Sequence, residues 1–150
     1  MIGLLQRVTE ASVEVDGREV ARIGPGLLVL VGVERGDTER ESARLLERLL
    51  GYRVFADEQQ RMNRSLLDTG GGLLLVPQFT LAAETRKGTR PGFSTAAAPA
   101  EGERLFGALL ALARERLPGV QAGIFGAHMR VRLENDGPVT FWLQVAPAGT

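Results

Sequence analysis

The chain has no cysteine and a single histidine, His128. The first absence removes disulfides, thiolate nucleophiles and most zinc sites, and the second leaves no histidine cluster for a metal. The expectation is therefore a protein that uses no metal and no cofactor. Net charge is absent as well, because 18 Lys and Arg balance 18 Asp and Glu. No global field draws such a protein toward nucleic acid, so any RNA contact must be local. No run of apolar residues is long enough to span a bilayer, and the opening residues reach Gln6 and Arg7 too soon for a secretory signal. The expected location is the cytoplasm, with no membrane partner.

What is present suits one compact domain over residues 1–150, since 150 residues at 44% hydrophobic can fill a single core. Ala11, Val13 and Val15 alternate with Ser12 and Glu14, and Asp16-Gly17 is a hairpin signal before a returning strand over 18–23. Leu27 to Val33 is too apolar for an edge and predicts a central strand. Thr38 and Glu41 form a capping box, Ala43, Leu45, Leu46, Leu49 and Leu50 make a helical stripe, and Gly51 closes it. A short strand over 52–55 and a polar loop over 56–64 follow. A second helix is expected over about 101–117, with Leu105, Phe106, Leu109, Leu110 and Ala113 inward and Pro118-Gly119 as its stop. Strands over 129–134 and 139–145 flank Asn135-Asp136-Gly137-Pro138, whose composition reads first as a hairpin turn; its Gly-Pro bond is one where the cis isomer is accessible.

The chemistry is expected at Leu73 to Leu81. Four branched apolar residues predict a strand buried on both faces, and Pro77, which cannot donate to a ladder, predicts that regular pairing fails there. Gln78 and Thr80 follow with an amide and a hydroxyl. The backbone amides of residues 78–80, left without sheet partners, are what a developing oxyanion needs. The bland alternative is a strand ending in a polar turn. Immediately downstream, Glu84 to Phe93 is an irregular loop with Arg86, Lys87 and Arg90 near one aromatic. Its composition suits phosphate contact and base stacking, against the ordinary reading of a solvated loop. His128 is read as a packed or surface residue, because no serine or cysteine nucleophile with a fitted acid can be assigned to it.

Gln6-Arg7-Val8, Gln78-Phe79-Thr80-Leu81, Arg90-Pro91 with Phe93-Ser94, and Asn135-Asp136-Gly137-Pro138-Val139-Thr140 together resemble the D-aminoacyl-tRNA deacylases, also called D-tyrosyl-tRNA deacylases. The order and spacing of these motifs span almost the whole chain and are far more specific than any one of them. The resemblance implies an α/β fold, a compact domain of mixed, partly barrel-like β-sheets with two main helices. It implies a homodimer that hydrolyses the ester between a D-amino acid, or glycine, and the terminal adenosine of tRNA, while leaving L-aminoacyl-tRNA intact. Gln78, Phe79 and Thr80 would line the aminoacyl pocket with their amides toward the ester carbonyl. Gly137 and Pro138, in cis, would enter that pocket from the partner subunit, with Arg7 holding them in orientation. The binding partner would be the acceptor end of an aminoacylated tRNA.

One residue departs from the family pattern, which has serine before Gln-Phe-Thr-Leu where this chain has Pro77. Proline supplies neither hydroxyl nor amide hydrogen, yet its fixed φ and the extended bias it puts on Val76 could still aim the next amides. Thr80 has no identifiable base beside it, so the expected mechanism has Thr80 and Gln78 positioning groups while the substrate's ribose 2′-hydroxyl or a water handles the proton. The rival readings are a non-catalytic RNA-binding dimer, which would owe nothing to Gln78, and a general small-ester hydrolase, which would need no tRNA.

Overall fold

The computed structural model describes residues 1–147. β1 (Ile2–Val15) turns at Asp16-Gly17, both with positive φ, into β2 (Arg18–Ile23). β3 (Gly26–Gly32) follows, then α1 (Glu39–Gly51). A small hairpin of β4 (Phe55–Ala56) and β5 (Met62–Arg64), a one-turn α2 (Leu66–Thr69) and β6 (Gly72–Pro77) come next. A 3-10 turn (Phe79–Ala82), α3 (Pro99–Arg116), β7 (Gln121–Ala122) and β8 (Arg130–Gln144) complete the chain. The main sheet runs β2-β1-β3-β6-β7, with β8 on β1. β2 also packs against β6 and β7 at the far end of that order, so the sheet curls toward a barrel.

The continuous apolar runs are explained by two cores on opposite faces of one sheet. Leu27, Val29 and Val31 of β3 and Leu73 and Leu75 of β6 pack against α1 and α3, through Leu45, Leu46, Leu49, Leu105, Phe106 and Leu109. Their alternates, Leu28, Leu74 and Val76, fill the barrel interior with Val8, Ala11, Val13, Ala21 and Ile23. A strand that is buried on both faces must be apolar at every position, which is why period-two alternation is lost there. Parallel pairing of β3 with β6 begins at Gly26 and Gly72, where a Cβ on Gly26 would lie 2.0 Å from the Gly72 carbonyl oxygen. Only glycine permits that approach.

The capping box of α1 is formed: the Thr38 amide donates to Glu41 Oε2 (2.7 Å) and the Arg40 amide donates to Thr38 Oγ1 (3.3 Å). Just before it, the Met1 ammonium is buried and donates to Asp37 Oδ1 (2.9 Å), Glu34 Oε1 (3.0 Å) and the Val145 carbonyl (2.7 Å). Burial pushes the Asp37 carboxyl above its ordinary range, against the pull of the Glu34 amide and of that ammonium. Among the described residues no helix is long and apolar enough to cross a membrane.

α1 ends at Gly51 as expected, and the chain leaves through an extended Tyr52. Two expectations are corrected, and one short helix was not foreseen. The strand expected over 52–55 is confined to Phe55–Ala56, because its pairing partner, β5, is itself only three residues long. Ser65 and Asp68 form an unforeseen capping box on α2, which ends at a left-handed Gly70. Most consequentially, Asn135 to Pro138 is no hairpin turn. β8 continues through it beside β1, and the pairing jumps from Gln6↔Thr140 to Val8↔Asn135, so the intervening residues bulge out of a strand that keeps its direction.

Candidate active site

β6 delivers its C-terminal end to a cleft of about 440 Å³, lined by Val31, Val76, Pro77, Gln78, Phe79 and, from the other side, Phe106, Phe125, His128 and Met129. Pairing with β3 survives Pro77: Val31 is opposite it, and the Gln78 amide donates to the Val31 carbonyl at 2.7 Å. The expected break is corrected in this way because successive residues of a strand direct their N–H groups to opposite edges. The hydrogen that proline lacks would face the β7 side, where pairing has already ended at Leu75↔Ala122. Gln78 therefore has a sheet partner and is not a free donor.

Among the described residues, the free donors are one residue further on. The chain folds at once into the 3-10 turn, whose first internal bond is Leu81 N–H to the Gln78 carbonyl at 3.2 Å. The leading amides of a helical turn have no acceptor within it, and here they belong to Phe79 and Thr80. Above them the Gln78 side-chain amide donates to Thr80 Oγ1. Gln78 is half-buried, and Phe79 and Thr80 are exposed. Such a turn can hold a carbonyl oxygen as charge develops on it. It is pressed onto β3 at Gly32, where a Cβ would come within 2.9 Å of Leu81 Cβ and 3.2 Å of the Gln78 carbonyl oxygen.

His128 lines the cleft and is exposed; no carboxylate is hydrogen-bonded to it among the described residues. Sequence reasoning missed the far wall, from Gly102 and Phe106 of α3 to Phe125 and Met129, because those residues read as ordinary core and loop. No cluster of three or more metal-ligating side chains occurs among the described residues.

The second expected group is built elsewhere on the chain. Gly137 and Pro138 are joined by a cis peptide, and neither they nor Arg7 line the cleft. Their bulge is held from both ends. Asn135 accepts from the Val139 amide (2.7 Å) through Oδ1 and donates through Nδ2 to Thr140 Oγ1 (2.9 Å). Arg7 donates from Nε to the Asp136 carbonyl (2.9 Å) and from an Nη to the Val54 carbonyl (2.7 Å). Gly137 has φ +149°, and a Cβ there would lie 2.6 Å from Val139 Cγ2, so no other residue fits. One chain thus brings Gln78, Phe79 and Thr80 together and leaves Arg7, Gly137 and Pro138 in a separate cluster.

The chain is similar to known proteins over nearly its whole length. The family profile described as D-Tyr-tRNA(Tyr) deacylase matches residues 4–144. The D-aminoacyl-tRNA deacylase of Thioalkalivibrio sulfidiphilus is 65% identical over 147 residues, covering 98% of this chain and 99% of its own. That of Alkalilimnicola ehrlichii is 65% identical over 148 residues, covering 99% of each. Among solved structures, one titled c-Myc DNA Unwinding Element Binding Protein superposes with a TM-score of 0.93 at 37% identity, over 97% of this chain and 99% of that one. A probable eukaryotic D-amino acid tRNA deacylase, at 20% identity and a TM-score of 0.82 over 96% of this chain and 98% of its own, shares the fold.

Proposed function

Because the chain belongs to the D-Tyr-tRNA(Tyr) deacylase family and is a hydrolase of D-aminoacyl-tRNA, we propose that the ester is cleaved at the cleft where β6 ends. The observation that carries this reading is the pair of leading amides, Phe79 and Thr80, in a turn packed tightly on β3. The ester carbonyl lies against them. Water attacks the carbonyl carbon, the amides hold the tetrahedral oxyanion, and collapse expels the ribose 3′-oxygen. The proton that the attacking water loses reaches that oxygen through the neighbouring 2′-hydroxyl, which passes on its own proton and takes up the water's, or through a second water. Each such donor contributes about 2.7–4 kcal/mol in hydrolases where it has been removed. Thr80 takes no covalent part: its hydroxyl accepts from Gln78, and among the described residues no basic side chain is hydrogen-bonded to it to activate it.

The working unit in this reading is a homodimer in the cytoplasm, with each cleft completed by the partner subunit's bulge. β8 supports it, being a long strand that among the described residues pairs only with β1 and leaves its other edge free, with Leu133 and Trp142 exposed. The bulge is held by Asn135 and Arg7 yet does not line its own chain's cleft, as expected of a group made for a neighbour. The backbone of Gly137-Pro138 then fills the space in which an L side chain would begin. Glycine, with hydrogen there, passes, and D side chains point away.

Two measurements test the reading. Charged tRNAs should release D-tyrosine, D-aspartate and glycine, while L-tyrosyl- and L-alanyl-tRNA persist; comparable rates on an L form and its D form would overturn the selection. A mixed dimer of one subunit altered at Gln78 to Thr80 and one altered at Gly137-Pro138 contains one intact site. It should show near half of wild-type activity, and a mixed dimer as inactive as both parents would refute sharing across subunits.

A further inference from the structure

The reaction above makes no use of the cations over residues 85–91 or of the aromatic ledge beside the cleft. Residues 85–91 form the tip of a hairpin closed by the Glu84 amide to the Gly92 carbonyl (2.7 Å) and the Gly92 amide to the Glu84 carbonyl (3.0 Å). Within it Arg86 is already occupied: its Nε and Nη2 donate to both Glu84 carboxylate oxygens at 2.9, 3.1 and 2.7 Å. That guanidinium holds the Glu84 carboxyl down at about 2. Lys87 and Arg90 are exposed and have no ion-pair partner among the described residues. The tip therefore presents two uncompensated cations on a protein whose overall charge is zero.

Beside the tip, Phe93 is 43% exposed and leans on Phe79, 58% exposed, with ring centroids 5.2 Å apart at 48°. The ledge is fixed in place. Thr95 Oγ1 donates to the Ala82 carbonyl of the 3-10 turn (2.6 Å), the Ala96 amide to the Phe93 carbonyl (3.2 Å) and the Arg35 amide to the Thr95 carbonyl (3.0 Å). An exposed aromatic step next to unpaired cations combines the two features with which proteins hold single-stranded nucleic acid.

We propose that Phe93, Lys87 and Arg90 hold the single-stranded 3′ end of the tRNA immediately upstream of its terminal adenosine, the preceding base stacking on Phe93 and the flanking phosphates meeting Lys87 and Arg90. This rests on the cleft being where the ester is cleaved. With the ester carbonyl at the Phe79 and Thr80 amides, the preceding nucleotide lies one phosphodiester away, and the Phe79–Phe93 contact spans from that turn to the ledge. Arg86 takes no part, because Glu84 neutralises it.

The test compares D-tyrosyl-tRNA with 3′-O-(D-tyrosyl)adenosine, which has the ester and the adenosine but neither phosphate nor preceding base. Phe93→Ala, and separately Lys87→Gln with Arg90→Gln, should raise KM on tRNA about tenfold with kcat unchanged, as loss of uniform binding requires. Phe93→Trp, which keeps a stacking face, should leave KM near wild type. The double cation variant should also flatten the salt dependence of kcat/KM by about 1.4 logarithmic units per decade, about 0.7 for each single-strand phosphate contact. Rates on the aminoacyl-adenosine should stay within about twofold of wild type, since that substrate makes none of these contacts. Unchanged KM on tRNA, or equal losses on both substrates, would overturn the proposal. If wild type cleaves tRNA but the turn variants at Phe79 leave it unaffected, the placement of the reaction itself falls, a result distinguishable from failure of the ledge alone.

Discussion

Replacing Gly32 by alanine tests whether the position of the oxyanion donors is set by the packing of the 3-10 turn on β3. Gly32 does not have positive φ, so the methyl meets no backbone penalty; by restricting the unfolded chain it would contribute about 0.4–1 kcal/mol of stability. Space is the obstacle. The new Cβ would lie 2.9 Å from Leu81 Cβ, 3.2 Å from the Gln78 carbonyl oxygen and 3.4 Å from the Ala82 nitrogen. Carbon atoms rest at about 3.5–4.0 Å, so the turn must recede by roughly 0.6–1 Å. Overpacking of this kind costs about 1–3 kcal/mol, which leaves a net loss of about 1–2 kcal/mol and a Tm lower by a few degrees. The catalytic loss should be larger, because displacing a reacting group by about 1 Å costs on the order of a hundredfold. We expect kcat/KM on D-tyrosyl-tRNA to fall about 30- to 100-fold, or about 2–2.7 kcal/mol, in a protein still folded at the assay temperature. Gly26→Ala is the contrast: its Cβ would meet the Gly72 backbone at 2.0 Å, and that variant should not fold. A Gly32→Ala protein with wild-type Tm and wild-type kcat/KM would refute the reasoning.

Pro77→Ser should leave kcat/KM within about tenfold, or about 1.4 kcal/mol, because the donors lie after position 77 and the hydrogen bond of Gln78 to Val31 is retained; a greater loss would show that proline's fixed φ aims the turn. Asp37→Ala should destabilise the protein by about 3 kcal/mol in urea titration, the lower end for breaking a buried pair, since Glu34 still accepts from the Met1 ammonium. Asp37→Asn, which keeps an acceptor and drops the charge that burial penalises, should cost less; equal losses would mean that the charge itself is needed.

Local chemistry made the secondary structure legible, and non-local pairing decided what it was for. The Asp16-Gly17 turn, the Thr38–Glu41 box and the doubly buried strands at Leu27 and Leu73 were all readable, because each is specified within a few residues. Asn135 to Pro138 has the same kind of signal and a different outcome. Its residues do form an irregular segment, but whether the chain reverses there depends on what lies beside it, and β1 pairs with both flanks. The same holds at Gln78, whose amide is occupied by a carbonyl 47 positions earlier in the chain, at Val31. The missed α2 is a different case, since Ser65 and Asp68 carry a capping signal in plain view on a helix too short to show periodicity.

A site whose donors are main-chain amides is resistant to the usual test of replacing side chains. Thr80→Ala keeps the Thr80 amide and removes only a hydroxyl that accepts from Gln78, so it should slow the enzyme without abolishing it. No acyl-enzyme should be trapped on wild-type Thr80 in single-turnover mass spectrometry. Proline is the substitution that deletes a donor, and its tolerance depends on position. Phe79 is the first residue of the 3-10 turn, after a Gln78 with φ −143° and ψ 83°, outside the α region that a following proline disfavours, and the first position of a helical turn is where proline fits best. Phe79→Pro therefore removes one N–H from the proposed oxyanion pair at little conformational cost. Because it also removes the ring, Phe79→Ala is the proper reference. Relative to Phe79→Ala, Phe79→Pro should lower kcat by about a hundredfold or more, about 2.7 kcal/mol, with KM little changed, since the interaction is made in the transition state. Equal kcat in the two variants, with both folded, would mean that the Phe79 amide does not face the reacting carbonyl and that the oxyanion is held elsewhere.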